Sequence, residues 1–168
     1  MRRRLAVLLG LLIASTAHAS GPDHILQHLN KKTPVITPVR HQSVDQRRQT
    51  LCMALSLYHE ARGQSFDGQR AVADVILNRI RETGGSICET VWSHGQFSWT
   101  RFPVYKIIPR DMASWLDVQW HALTLISDPG PDLTDGATMF YNLKLCHPRW
   151  AKIGKVTARF GDQIFIRP

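Results

Sequence analysis

Glu60 is the one acid in the stretch 50–61, where Leu51, Met53, Ala54, Leu55, Leu57, Tyr58 and Ala61 wrap nearly the whole circumference of a helix. That pattern marks a buried helix rather than a surface one. At about 100° per residue, Glu60 projects near Met53 and Leu57, so its carboxylate meets an apolar wall where desolvation disfavours the anion and raises the pKa. A carboxyl that stays protonated near neutral pH can serve as a general acid. Gly63 reads as the helix stop, and the negative end of the helix dipole pushes the same pKa up, while Arg62 pulls it down. The plainer alternative is a glutamate paired with Arg62 or another base at a helix end.

A second chemistry-bearing stretch is His94-Gly95-Gln96-Phe97-Ser98-Trp99. It is polar and aromatic without clean periodicity, as a loop lining a cleft would be. A pyranose presents an apolar C–H face for stacking and a rim of hydroxyls, so Gln96, Ser98 and Trp99 form a candidate sugar subsite. Phe97 and Trp99 could equally anchor the loop in the core.

These groups need a scaffold. Residues 69–81 repeat apolar side chains at Val72, Val75, Ile76 and Ile80 and halt at Thr83-Gly84-Gly85, an amphipathic helix packed on the first. Asn78, near its end, could aim its amide at a sugar or at Glu60, or could satisfy backbone locally. Residues 111–127 read as a third helix with Trp115, Val118, Ala122, Leu123 and Ile126 on a buried face, and Trp115 and Trp120 are read as packing residues. Residues 139–142 are a short strand-like run. The C-terminus alternates through Val156-Thr157-Ala158-Arg159-Phe160, turns at Gly161-Asp162 and resumes at Gln163, a β-hairpin. The hairpin should pair with the strand near residues 137–141, giving an α+β, mostly helical fold with a small antiparallel sheet near the C-terminus.

Several blocks together resemble the spore-cortex-lytic and cell-wall hydrolase family (SleB-like). They are Tyr58-His59-Glu60-Ala61-Arg62-Gly63, the run from Gly68-Gln69 to Asn78-Arg79, Ile87-Cys88, Gln96-Phe97-Ser98-Trp99, the run Gly136 to Asn142, and Pro148-Arg149-Trp150-Ala151. The resemblance implies a lysozyme-related helical core that cleaves peptidoglycan glycan strands without a cofactor, with the catalytic glutamate at Glu60. Tyr141 and Asn142 match its blocks as substrate-contacting residues. Cys52 and Cys88 also lie in matching blocks and are expected to form a disulfide, which leaves Cys146 free. One departure bears on the chemistry: the family usually carries a second acid directly after the Arg-Gly pair, and this chain has Gln64. Retaining or inverting hydrolysis needs two carboxylates about 5 to 9.5 Å apart. A lytic transglycosylase needs one, because the C6 hydroxyl of muramic acid attacks C1 and gives a 1,6-anhydro product. Asp67 reads as a helix cap and Asp74 as a residue on the polar side of the second helix. With no second carboxylate evident, and with related family members resembling lytic transglycosylases, one-carboxylate chemistry is favoured over muramidase hydrolysis; a catalytically poor peptidoglycan-binding protein is the alternative from another class.

The N-terminus has Met1-Arg2-Arg3-Arg4, an apolar run to Ser15 and Ala17-His18-Ala19, which together read as a cleavable secretory signal over residues 1–19. Cleavage there lowers the 21 basic residues to 18 against 13 acids, a net charge of about +5. Such a protein would work in the periplasm or at the cell wall, drawn to anionic wall polymers. The bases scatter without a basic helix, and nucleic acid is not an expected partner. No stable membrane association is expected after cleavage, and no accessory protein can be named. Residues 20–47 carry Pro22, Pro34 and Pro38 with little periodicity and read as an extended leader, with at most a short helix near residues 23–29, before a catalytic domain over 48–168. His24 and His28 have the i, i+4 spacing of a metal pair but lack a third ligand, so no metal is expected.

Overall fold

A computed structural model describes residues 22–168 as seven helices and one three-stranded sheet. The expected secretory signal falls outside the described residues. The central element is α3 (Val44–Ala61). It starts six residues earlier than the apolar pattern suggests, because Ser43 caps it: the Ser43 Oγ accepts the Gln46 N–H, and Gln46 Oε1 accepts the Ser43 N–H, both at 3.2 Å. Every residue from Thr50 to Tyr58 is buried. Packed around it are α4 (Phe66–Thr83), α5 (Ile87–Trp92) and α7 (Met112–Ser127), the last capped by Asp111. The disulfide Cys52–Cys88 joins α3 to α5, with Cα atoms 5.3 Å apart, and Cys146 is free and exposed.

Residues 22–47 are not an extended leader. They form α1 (Pro22–Lys32) and α2 (Thr37–His41), and Ile25, Leu26, Leu29, Val35, Ile36 and Val39 are buried in the main core. The prolines punctuate instead of extending the chain: Pro22 opens α1 and Pro38 lies in the first turn of α2, where a missing N–H costs nothing. Long-range bonds from α7 hold the segment. The Pro34 carbonyl accepts the Trp115 indole N–H at 2.9 Å and the Gln119 amide at 3.1 Å, and Gln119 Oε1 accepts the Ile36 N–H at 3.1 Å. Burying a side chain such as Leu29 or Val39 contributes about 1.5–3 kcal/mol each, so the folded unit extends well before residue 48. His24 and His28 place their rings 4.5 Å apart on α1, and no cluster of three metal-binding side chains occurs among the described residues.

Helix α4 is capped by Ser65, whose Oγ accepts the Gly68 N–H at 3.3 Å; Asp67 sits exposed in the first turn and is not the cap. The helix stops at Gly84, whose φ of +77° favours glycine. Trp115 is fully buried as expected of a packing residue, but Trp120 faces solvent with 49% of its surface exposed. After α6 (Val104–Ile107) and α7, strands β1 (Met139–Asn142), β2 (Lys155–Phe160) and β3 (Gln163–Arg167) form the antiparallel order β1-β3-β2. The hairpin turns at Gly161 with φ +55°, and Tyr141 pairs with Ile164. As the central strand, β3 buries Ile164, Phe165 and Ile166 in succession, a run covered on both faces.

Candidate active site

The last turn of α3, the 95–98 loop, the end of β1 and the 145–150 segment enclose an open cleft of about 450 Å³. Glu60 reaches it from α3. The helix end is tied to the sheet, because the buried Gln163 amide of β3 donates to the Glu60 main-chain carbonyl at 2.9 Å. That bond satisfies a carbonyl the helix cannot satisfy itself. The other Gln163 amide atom, Oε1, is buried in the cleft wall without a hydrogen-bond partner.

Burial is the main influence on Glu60 and raises its pKa to about 7. The Arg79 charge and the Trp99 indole N–H oppose that rise without cancelling it. The Trp99 N–H lies near the carboxylate but short of full hydrogen-bond geometry, and it has no other partner. Arg62 is not the counter-charge: its guanidinium lies 4.7 Å over the Tyr58 ring and donates to the Tyr58 carbonyl at 3.2 Å. The positioned cation is Arg79, which sequence reasoning passed over as a helix end. Its Nε donates to the Thr138 carbonyl at 2.8 Å, its guanidinium sits 5.2 Å over the Phe97 ring, and its Nη1 is buried without a partner. Burial lowers the Arg79 pKa to about 10, partly offset by the Glu60 charge, so it stays cationic at neutral pH.

Of the expected site residues, Glu60, Gln96, Ser98, Tyr141 and Asn142 line this one cleft. Trp99 does not line it. It is buried behind Glu60, stacked on the His59 ring at 4.6 Å and 18°, where it shapes the carboxyl's surroundings instead of offering a sugar platform. His59 donates Nε2–H to the Ile107 carbonyl at 2.9 Å, and burial keeps its pKa low, so it is a neutral wall. The aromatic surface open to the cleft comes from the half-buried Tyr141 and Trp150, whose rings meet edge-on at 5.9 Å. Trp150 was legible only as part of a loop motif. Asn142 spends its Oδ1 on the Lys144 N–H at 2.9 Å, a local turn.

Asn78 is a correction. It points away from the cleft, and its amide nitrogen lies within 3.0 Å of Asp132 Oδ2, 3.2 Å of Thr134 Oγ1 and 3.0 Å of the Ala137 carbonyl. Its task is to hold the 132–137 loop that leads into β1. Burial would raise the pKa of Asp132, but hydrogen bonds from Thr134, Gly136 and Asn78 bring it below the usual range. Asp74 is also a correction. It lies on α4, buried against the same loop, accepts the Leu133 N–H at 2.9 Å, and has its pKa raised by burial first. Glu60 is therefore the only carboxylate among the described residues that line the cleft.

Fold and site together define a class: a mostly helical domain with a single, largely desolvated carboxyl in the wall of an open cleft. The model of the cell wall hydrolase family matches residues 63–166, more than half of the chain, and the protein belongs to that family. The matched stretch begins just after Glu60, so Glu60 stands on its geometry. The fold resembles the catalytic domain of the germination-specific lytic transglycosylase SleB from Bacillus anthracis, with 23% identity, TM-score 0.58, and coverage of 79% of this chain and all of that one. The catalytic domain of the Bacillus cereus SleB protein is similar at 23% identity, TM-score 0.57, and coverage of 79% of this chain and 98% of that one. No curated protein matches.

Proposed function

We propose that this enzyme cleaves peptidoglycan glycan strands between muramic acid and glucosamine as a lytic transglycosylase, with Glu60 as acid and then base. The observation that carries the reading is a solitary cleft carboxyl with a pKa of about 7. At neutral pH it holds a proton in about half of the molecules and can exchange it in both directions.

In the first half of the reaction the Glu60 carboxyl gives its proton to the glycosidic oxygen as the C1–O bond breaks. The carboxylate left behind faces the oxocarbenium-like sugar on one side and the Arg79 charge on the other. In the second half the C6 hydroxyl of the same muramic acid attacks C1, and its proton returns to Glu60. The product carries a 1,6-anhydro end, no water is consumed, and the carboxyl is reset. A hydrolase would need a second carboxylate about 5 to 9.5 Å away, and the cleft supplies none among the described residues. Gln96, Ser98, Tyr141 and Asn142 are the proposed substrate contacts, joined by Trp150 as a stacking surface for the pyranose face. The likeness to the catalytic domain of a Bacillus anthracis lytic transglycosylase supports the same reaction class.

The work site is proposed to lie outside the cytoplasmic membrane, in keeping with the signal-like residues 1–19. No helix among the described residues is long and apolar enough to cross a membrane. The test is mass spectrometry of soluble products from purified peptidoglycan digested with residues 20–168, beside Glu60→Gln. Anhydro-muropeptides from the wild type alone support the proposal; reducing ends bearing added water, or no release from either protein, refute it.

A further inference from the structure

His59 lines a second depression as well as the cleft, a trough of about 620 Å³ walled by Tyr58 of α3, by Arg62 just after that helix and by Tyr105, Lys106 and Arg110 around α6. Through Tyr105, Ile108 and Arg110 the trough continues into a hollow of about 440 Å³ that reaches Lys32 of α1. Four cations, Arg62, Lys106, Arg110 and Lys32, line this path, and none of them forms an ion pair among the described residues. The one acid on the path, Asp111, is occupied as the α7 cap by the Ser114 N–H at 3.2 Å. Phe102 and Tyr105 expose 47% and 61% of their surfaces there.

The path is anchored to the helix that carries Glu60. The Tyr58 hydroxyl accepts the N–H groups of Arg110 at 3.0 Å and Asp111 at 3.1 Å, and the Ile107 carbonyl accepts the neighbouring His59 N–H. A ligand complementary to it is anionic, extended and partly apolar, and is joined to whatever occupies the cleft.

We propose that this trough binds the carboxylate-bearing stem peptide of peptidoglycan, a proposal that rests on the glycan-cleavage reading above. Stem peptides branch from muramic acid, carry free carboxylates and small methyl side chains, and span roughly 14 Å when four residues are extended. The cations supply long-range attraction to the carboxylates, and the aromatic walls cover the apolar part. A wall polyphosphate would share the charge but has neither the methyl groups nor the covalent link to the cleft.

The experiment uses Glu60→Gln protein, so that binding is read without turnover. Calorimetry compares a glycan tetrasaccharide bearing tetrapeptide stems with the same tetrasaccharide stripped by an amidase. The stem-bearing ligand should bind about tenfold tighter at low salt, and the ratio should fall towards one at high salt and in Lys106→Gln/Arg110→Gln, two exposed positions. A ratio between ligands does not depend on how much of the variant folds. Equal affinity for the two ligands, or a preference that survives the double substitution, overturns the proposal. The free tetrapeptide separates the two readings: salt-sensitive binding of it, lost in the double variant, supports the trough even if wild-type protein turns over no glycan, which would defeat only the cleavage reading. No binding of any of the three ligands overturns the trough.

Discussion

Replacing Glu60 by glutamine should stabilise the protein above neutral pH while abolishing its chemistry. The carboxyl has a pKa of about 7 in the fold against an ordinary value of 4.5. Below pH 4.5 the folded and unfolded chains both hold the proton, and nothing is lost. Between 4.5 and 7 the unfolded chain ionises first, so rising pH favours unfolding. Above 7 both are ionised and the penalty levels off at about 3 kcal/mol, from 2.5 pH units at about 1.36 kcal/mol each. That is a sizeable part of the roughly 5–15 kcal/mol that holds a domain folded. The same displacement raises the protonated fraction at pH 7 from about 0.3% to about half, roughly 150-fold. Glutamine keeps the shape and cannot ionise. Urea denaturation of both proteins at pH 4 and pH 8.5 should show the stability advantage of Glu60→Gln growing by about 3 kcal/mol, because all other titrating groups cancel in the difference. A difference that stays constant across that range would refute the desolvation argument.

Arg79→Met removes the charge that opposes the Glu60 shift, so the alkaline limb of the kcat/KM profile should move up by about one pH unit; an unmoved limb would mean that Arg79 does not act through Glu60. Reducing Cys52–Cys88 opens a loop with a sequence separation of 36 and should cost about 4 kcal/mol by the chain-entropy argument, read from denaturation with and without reductant. Deleting residues 22–43 strips the cover from Trp115 and leaves the Gln119 amide without the Pro34 and Ile36 backbone groups. That fragment should lose its cooperative unfolding transition by circular dichroism, and a fully active, cooperatively unfolding fragment of 44–168 would contradict the packing described.

What was legible in the sequence followed local periodicity. The all-round apolar helix around Leu55, the amphipathic face of Val72, Val75 and Ile76, and the hairpin at Gly161 all formed as their patterns implied. The single acid on the buried helix is largely desolvated, and its pKa rises for that reason. Illegible features depended on partners distant in the chain. The segment with Pro34 looks like linker until Trp115 and Gln119, more than 80 residues away, supply the donors for its carbonyl. Asn78 and Arg79 are neighbours about 100° apart on α4, and only the position of the 132–138 backbone decides that Asn78 braces a loop while Arg79 faces Glu60. Trp99 carries the features of a sugar platform, yet the stacking of His59 upon it turns it into the backing of the Glu60 carboxyl.

The central claim is that one carboxyl does all the proton transfer and that no water enters the bond. Digestion of purified peptidoglycan in ¹⁸O-labelled water tests it most directly, with the wild-type products weighed by mass spectrometry. The account predicts anhydro ends without label. Incorporation of one ¹⁸O at each new reducing end would contradict it and would require a second acid that the cleft as described does not contain.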